Sequence, residues 1–79
     1  MQYTVATIQW IDSQTVYGWS EYDPNEDHPE QITTVGIIVA EDSKSITVSI
    51  GASANKKYTG KMSIPKCAIK KLIRERKRI

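Results

Sequence analysis

Residues 32–50 read ITTVGIIVAEDSKSITVSI, and this stretch decides the fold. Its first half is a run of Ile, Val and Thr that ends at Ala40. Its second half alternates apolar and polar residues from Ser45 onward, and the polar sequence EDSK separates the two halves. This pattern predicts two antiparallel strands joined by a tight turn. Gly36 fits a strongly bent strand, in which a side chain would clash at the corner.

The same alternation predicts which side chains of the hairpin point into the core, because successive strand residues face opposite sides of a sheet. In the second strand, Ile46, Val48 and Ile50 are expected to point inward, and Thr47 and Ser49 outward. The first strand is apolar on both faces, with Val35, Ile37 and Val39 on one and Ile38 on the other.

The chain before the hairpin predicts two strands and a loop. Residues 3–11 alternate, with Ile8 and Trp10 on one face. Residues 15–20 (TVYGWS) predict a second strand, in which the internal glycine suggests a bulge or a bend. Residues 21–31 (EYDPNEDHPEQ) contain two prolines and five carboxylates, so we expect a loop there.

After the hairpin, the sequence predicts another strand, a helical turn and a closing strand. Residues 58–64 form the strand, with Met62 and Ile64 inward, and Pro65 ends it. The apolar residues within 68–76 also fit the i, i+3, i+4 spacing of a two-turn helix. We favour the helical turn and closing strand, because exposed sheet edges are a liability.

Five or six short strands without a long helix predict one small all-β domain. We expect a five-to-six-stranded barrel of SH3-like or Sm-like architecture, with the helical turn near Pro65. This single β-barrel domain is expected to span residues 1–74, and residues 75–79 are expected to be a frayed basic tail.

Two stretches carry a resemblance to known proteins. VGIIVAEDSKSITVSI (35–50) followed by MSIPKCAIKKL (62–72) resembles small uncharacterised proteins of phages and bacterial mobile elements, with SH3-like or Sm-like β-barrels. Ile64 and Pro65 ahead of a helical turn are also similar to the end of an SH3 barrel, but both tryptophans precede the acidic loop here, unlike in that family. The resemblance implies a fold and no transferable chemistry.

Charge is divided sharply along the chain. Residues 1–42 contain eight acidic residues and no basic residue, whereas residues 43–79 contain 11 basic residues and one acidic residue. The formal net charge of +2 therefore hides −8 in the first part and +10 in the second. This asymmetry indicates a basic surface for a polyanion and an acidic segment that avoids or mimics one. It also permits head-to-tail self-association.

The densest positive charge lies in residues 66–79, where only Glu75 is acidic. Because Lys and Arg contacts to phosphates supply most non-specific nucleic-acid affinity, we predict a non-catalytic module that binds RNA or DNA. Tyr3 or Tyr58 could stack on single-stranded bases. The plainer interpretation of the same residues is a solubilising tail. The predicted phosphate contacts are Lys66, Lys70, Lys71, Arg74, Arg76, Lys77 and Arg78.

An alternative function is a protein-interaction or assembly module. Five of the six aromatic residues lie within the first 22 positions, and Tyr17, Trp19 and Tyr22 precede or enter the acidic loop. Trp and Tyr are common anchors of protein interfaces, so these three residues are the candidate protein-binding surface. The plainer interpretation is that both tryptophans fill a core that has no Phe.

Catalysis and metal binding are not expected. His28 lies in a proline-flanked loop without a rigid orienting partner, and Cys67 is expected to be a buried or half-buried structural thiol. Asp23, Asn25 and Asp27 have the spacing that opens a calcium loop, but the glycine and the final glutamate of that loop are missing. We therefore predict no enzyme activity, no metal and no cofactor. A single cysteine and the lack of a long apolar stretch suggest a cytoplasmic location without a membrane span.

Overall fold

The computed structural model describes residues 2–13, 15 and 17–78. These residues form seven strands and one 3-10 turn, in this order: β1 (Gln2–Asp12), β2 (Glu30–Glu41), β3 (Ser45–Ser49), β4 (Gly51–Ala52), β5 (Tyr58–Thr59), β6 (Met62–Pro65), the 3-10 turn (Lys66–Ala68) and β7 (Ile69–Arg78). Five strands make one antiparallel sheet in the order β6-β3-β2-β1-β7, and β4 pairs with β5 separately. The prediction of an all-β fold is confirmed.

The large sheet is open. β6 and β7 stand at opposite ends of the strand order, and no ladder joins them among the described residues. The sequence predicts a closed barrel, whereas the described residues form an open five-stranded sheet with two edges. The molecule measures 52 × 22 × 21 Å along its principal axes. In the described part of the chain, no helix is long and apolar enough to cross a membrane.

The central hairpin forms as the sequence predicts, between β2 and β3. Its turn is held by Asp42, whose carboxylate accepts hydrogen bonds from the backbone N–H groups of Lys44 and Ser45, each at 2.8 Å. These bonds favour the ionised carboxylate and lower the pKa of Asp42. An aspartate that bonds to backbone groups two and three residues ahead stabilises a turn locally, which explains why EDSK separates the two strands.

The clash predicted for a side chain at Gly36 is confirmed. β2 pairs with β1 up to Ile37, and from Ile37 onward it pairs with β3. At this corner β3 crosses close to the backbone of Gly36: a Cβ there would lie 2.9 Å from the carbonyl oxygen of Ser49 and 3.1 Å from Cβ of Val48. Glycine is therefore required by the close approach of two strands.

One face of the sheet carries the core. Its buried apolar side chains come from β1, β3 and β6, and they are Ala6, Ile8, Trp10, Ile46, Val48 and Ile64. From β2, Ile32 and Ile38 pack against this cluster, so the core lies on the Ile38 side of that strand, and Val35 on the other side is 59% exposed. Ile69 and Leu72 of β7 complete the packing.

Three orientations predicted from alternation are wrong at the end of β3 and the start of β6. Ile50 is 78% exposed and Met62 is 45% exposed, whereas Ser49 is almost completely buried. The chain leaves the sheet directly after Ser49, and the alternation stops there. The Ser49 hydroxyl lies 2.7 Å from the carbonyl oxygen of Gly51 and 2.5 Å from that of Thr59, so it is buried with its hydrogen bonds satisfied.

The predicted strand at residues 15–20 is wrong for every described residue in that range. β1 ends at Asp12, and β2 begins only at Glu30. Gly18 adopts a left-handed conformation with φ of +88°, which a continuous strand does not allow. Within the expected loop of residues 21–31, residues 21–29 belong to a longer connection between β1 and β2, whereas Glu30 and Gln31 already belong to β2.

The C-terminal region confirms a helical turn after Pro65 and a strand after that turn, but among the described residues this strand pairs with β1 only and does not close the sheet into a barrel. The 3-10 turn lasts three residues, and β7 then pairs antiparallel with β1. The two-turn helix considered for residues 68–76 does not form. The expected frayed tail at 75–79 is, as far as Arg78, part of this strand, since Arg78 pairs with Gln2. Ile79 is outside the described residues.

Candidate nucleic-acid interface

Six of the seven predicted phosphate contacts lie on the edge strand β7, and the seventh, Lys66, lies in the turn that leads into it. Lys66 begins the 3-10 turn, and the other six residues belong to β7, which pairs with β1 on one side only. The structure therefore gathers six of the predicted residues on an ordered edge strand, although the sequence assigns the last of them to a tail.

Three arginines of β7 share the face that carries the core. Arg74, Arg76 and Arg78 lie opposite Ala6, Thr4 and Gln2 of β1. Ala6 is a buried core residue, and directly opposite residues point to the same side of an antiparallel pair. Side chains two positions apart on a strand are about 6.7 Å apart. The three arginines therefore occupy one row of positions along the strand, beginning beside the buried Ala6 and ending opposite Gln2.

The opposite face of β7 carries Lys71, Ile73, Glu75 and Lys77, at alternating positions. We call the side of the sheet away from the core the outer face. Lys70 is the extra residue of a bulge, since Gln9 pairs with Lys71 and Trp10 pairs with Ile69. The bulge explains how a strand with this sequence keeps both Ile69 and Leu72 against the core.

Two of the seven cations are bound by Glu41 at the end of β2. Its carboxylate accepts two hydrogen bonds from the guanidinium of Arg74, at 2.6 and 2.9 Å, and lies 2.8 Å from the ammonium of Lys66. Arg74 first and Lys66 second lower the pKa of Glu41 to about 2, and Glu41 raises the pKa of Arg74. Glu41 thus ties the end of β2 to the 3-10 turn and to β7.

A third cation, Lys77, lies 3.0 Å from the carboxylate of Glu75 on its own strand. The other four of the seven predicted cations are exposed and have no carboxylate partner among residues 2–13, 15 and 17–78. They are Lys70, Lys71, Arg76 and Arg78. These four side chains are the best placed to contact phosphates. Tyr3, one of the two suggested stacking residues, lies opposite Lys77 and is half-buried.

All three aromatic residues of the alternative site are exposed. Tyr17, Trp19 and Tyr22 are 91%, 106% and 75% exposed. Only Trp10 of the two tryptophans is in the core, where its indole N–H donates a 3.0 Å hydrogen bond to the hydroxyl of Thr34. The interpretation of both tryptophans as core residues is therefore wrong for Trp19.

The acidic loop uses its carboxylates on its own backbone. Asp23 accepts a hydrogen bond from the N–H of Asn25 at 2.9 Å, and Asp27 accepts one from the N–H of Asp23 at 2.8 Å. The His28 ring contacts the carbonyl oxygens of Pro29 and Asn25, which raises its pKa. No three metal-ligating side chains come together in the described part of the chain.

Cys67 is exposed on the 3-10 turn, so its expected burial is wrong. Only one side of this three-residue 3-10 turn faces the protein. Ala68 lies on that side and packs against the core, and Cys67 points away from it. Ala68, not Cys67, is the small residue that the core uses here.

Sequence reasoning missed the role of Glu41, which reaches across 33 positions to Arg74. No local pattern signals such a contact, because the two residues meet only when β7 returns to the sheet. The assignment of the β7 side chains to two opposite faces could have been predicted by continuing the strand pattern, in which successive residues face opposite sides, beyond residue 74.

Comparison with protein-family profiles, with curated proteins and with solved structures finds no match to this chain. The resemblance to phage and mobile-element proteins stays a prediction.

Proposed function

We propose that this chain is a non-catalytic binding module that contacts the phosphates of RNA or DNA through β7. The observation that supports it is the set of four exposed cations without a described carboxylate partner, on one edge strand: Lys70, Lys71, Arg76 and Arg78. Phosphate contacts from such side chains provide sequence-independent affinity.

The position of the acidic loop supports the same proposal. The loop begins after Asp12 and ends at Glu30, next to the end of β1 that pairs with Ile69. Arg78 pairs with Gln2 at the other end of β1. The eight residue steps of strand from Gln2 to Trp10 span about 27 Å, which exceeds the Debye length of about 8 Å at physiological salt. The point where the loop leaves the sheet is therefore more than a Debye length from the strand positions of Arg76 and Arg78.

The Glu41 bridge gives β7 a fixed position on the sheet. Glu41 joins β2, the 3-10 turn and β7 through side chains, and this brings together parts of the sheet that no ladder connects. The proposal includes a sheet that curves as in SH3-like or Sm-like barrels. In it, the side-chain bridge of Glu41 takes the role that backbone hydrogen bonds between the two edge strands have in a closed barrel. The single exposed thiol, Cys67, agrees with a reducing compartment such as the cytoplasm.

The test is a comparison of two double variants. Arg76→Gln with Arg78→Gln removes two charges from the proposed interface, and Lys57→Gln with Lys61→Gln removes two exposed charges outside β7. Fluorescence anisotropy with labelled single-stranded RNA and duplex DNA measures affinity at several salt concentrations. We expect the arginine variant to reduce the magnitude of the slope of log K against log salt by about 2, one for each lost phosphate contact.

The lysine variant is expected to keep a slope close to that of the wild type. Equal losses in both variants would contradict a specific role for β7, because they would show a response to net charge alone. Unchanged binding by the arginine variant would also contradict the proposal.

A further inference from the structure

The outer face of the sheet presents an apolar band that no described residue covers. The register aligns Val35 of β2, Thr7 of β1 and Ile73 of β7 in one row across three strands. Val35 is 59% exposed and Ile73 is 43% exposed. In the next row, Ile37 and Val5 are half-buried. The core lies on the other side of the sheet and includes the buried apolar side chains of β3 and β6.

Positive charge borders this band. Lys71 and Lys77 lie on the outer face of β7, one on each side of Ile73 along the strand. Among the described residues of β7, one carboxylate lies on this face, that of Glu75, and it is paired with Lys77 at 3.0 Å. The outer face is therefore apolar in the middle and positive at its β7 border.

The connection between β1 and β2 carries exposed aromatic side chains and negative charge, which complement the apolar band and its positive border. Tyr17, Trp19 and Tyr22 expose nearly their whole side chains, and we call residues 17–22 the aromatic loop. Five carboxylates lie in residues 21–30, with only His28 as a group that can become positive. Because the aromatic side chains are at least 75% exposed, the aromatic loop does not pack on the sheet of its own chain.

We propose that copies of this chain associate head to tail, with the aromatic loop of one copy on the outer face of the next. Trp and Tyr would bury their rings against the band formed by Val35 and Ile73, and the neighbouring carboxylates would face Lys71 and Lys77. Aromatic anchors in an apolar patch provide most of the affinity in protein interfaces, and opposite charges at the border select the partner.

Charge also selects this arrangement over a symmetric one. Two aromatic loops in contact would bring two sets of five carboxylates together, and two β7 strands in contact would bring their lysines and arginines together. Like charges placed opposite each other destabilise a contact. A heterologous contact avoids both repulsions and leaves one loop and one outer face free at the ends of each assembly, so it can grow.

The contact shares Lys71 with the proposed phosphate contacts, whereas Arg76 and Arg78 lie on the other side of β7. Different variants and different assays test the two proposals. The two proposals can therefore fail separately: nucleic-acid binding is measured with a labelled probe, and self-association is measured on the protein alone.

The experiment is sedimentation velocity over a concentration series at low and high salt. Trp19→Ala with Tyr22→Ala removes the anchors of the loop, and Val35→Thr with Ile73→Thr makes the outer face polar while keeping β-branched residues. Ile50→Thr is the matched control, since Ile50 is 78% exposed and lies outside both surfaces. Thermal melts check that each variant remains folded.

We expect the wild type and the Ile50 variant to gain mass with concentration and to lose it at high salt. Each double variant alone should remain a monomer. A mixture of the two double variants should form a dimer and nothing larger, because one intact loop and one intact outer face remain. A wild type that stays monomeric at low salt, or a mixture that stays monomeric while the wild type assembles, would overturn the proposal.

Discussion

Replacement of Gly36 by alanine tests the close approach of β3 to β2 at this position. A Cβ at this position would lie 2.9 Å from the carbonyl oxygen of Ser49 and 3.1 Å from Cβ of Val48, and the first of these contacts is with backbone. Extra atoms in a packed interior cost about 1–3 kcal/mol. The reduced freedom of the unfolded chain on replacing Gly by Ala returns about 0.4–1 kcal/mol. We therefore expect Gly36→Ala to lower the free energy of unfolding by about 1–2 kcal/mol.

Gly51→Ala is the matched control for this prediction. A Cβ at Gly51 would meet only Cγ2 of Thr59, at 3.4 Å, and its backbone does not need a left-handed conformation. Urea titration gives the free energy of unfolding of each protein, and thermal melts should place Gly36→Ala about 5–15 °C below the wild type. The reasoning would be refuted if Gly36→Ala were as stable as Gly51→Ala.

Three further predictions concern buried and bridging groups. Ser49→Ala removes a buried hydroxyl that bonds to the carbonyl group and the N–H of Gly51 and to the carbonyl of Thr59, which keeps its hydrogen bond from the N–H of Ile50, so we expect a loss of about 1–3 kcal/mol in urea titrations. Ile64→Ala removes a fully buried side chain of the edge strand β6 and should cost about 2–5 kcal/mol in the same assay. Glu41 has a folded pKa of about 2 against an ordinary value of 4.5, so its contribution is present above pH 4.5 and is lost as the pH falls toward 2. Urea titrations at several pH values should therefore show that Glu41→Gln is less stable than the wild type at pH 7 and loses less stability on acidification.

Each of these predictions has an outcome that contradicts it. A neutral Ser49→Ala would mean that water reaches the carbonyl groups. A loss below 1 kcal/mol in Ile64→Ala would place β6 outside the cooperative core. Parallel pH profiles for wild type and Glu41→Gln would show that the bridge to Arg74 and Lys66 does not hold in solution.

Local chemistry accounts for what the sequence predicted correctly. The β2–β3 hairpin is encoded in adjacent residues, with alternating apolar side chains and an aspartate that bonds to the backbone of its own turn. Gly36 and the proline before the 3-10 turn act through their own backbone properties. These features need no knowledge of the rest of the fold, so one sequence is enough to find them.

The sequence-based predictions are wrong where contacts between distant parts of the chain determine the structure. Residues 17–20 have the composition of a strand, but β1 already has β2 on one side and β7 on the other, so no edge of β1 remains for them. Ser49 is polar and buried because β4 and β5 supply carbonyl groups for it. The same holds for the candidate site: the basic residues of β7 were found from composition, but their pairing with Glu41 depends on the return of β7 to the sheet.

The most direct test of the central claim is the salt dependence of nucleic-acid binding by the wild-type chain. If Lys70, Lys71, Arg76 and Arg78 contact phosphates, the slope of log K against log salt should be about −3 to −4 on duplex DNA. Anisotropy titrations of labelled duplex DNA from low to physiological salt give this slope. A slope near zero, or no binding at the lowest salt concentration, would contradict the account.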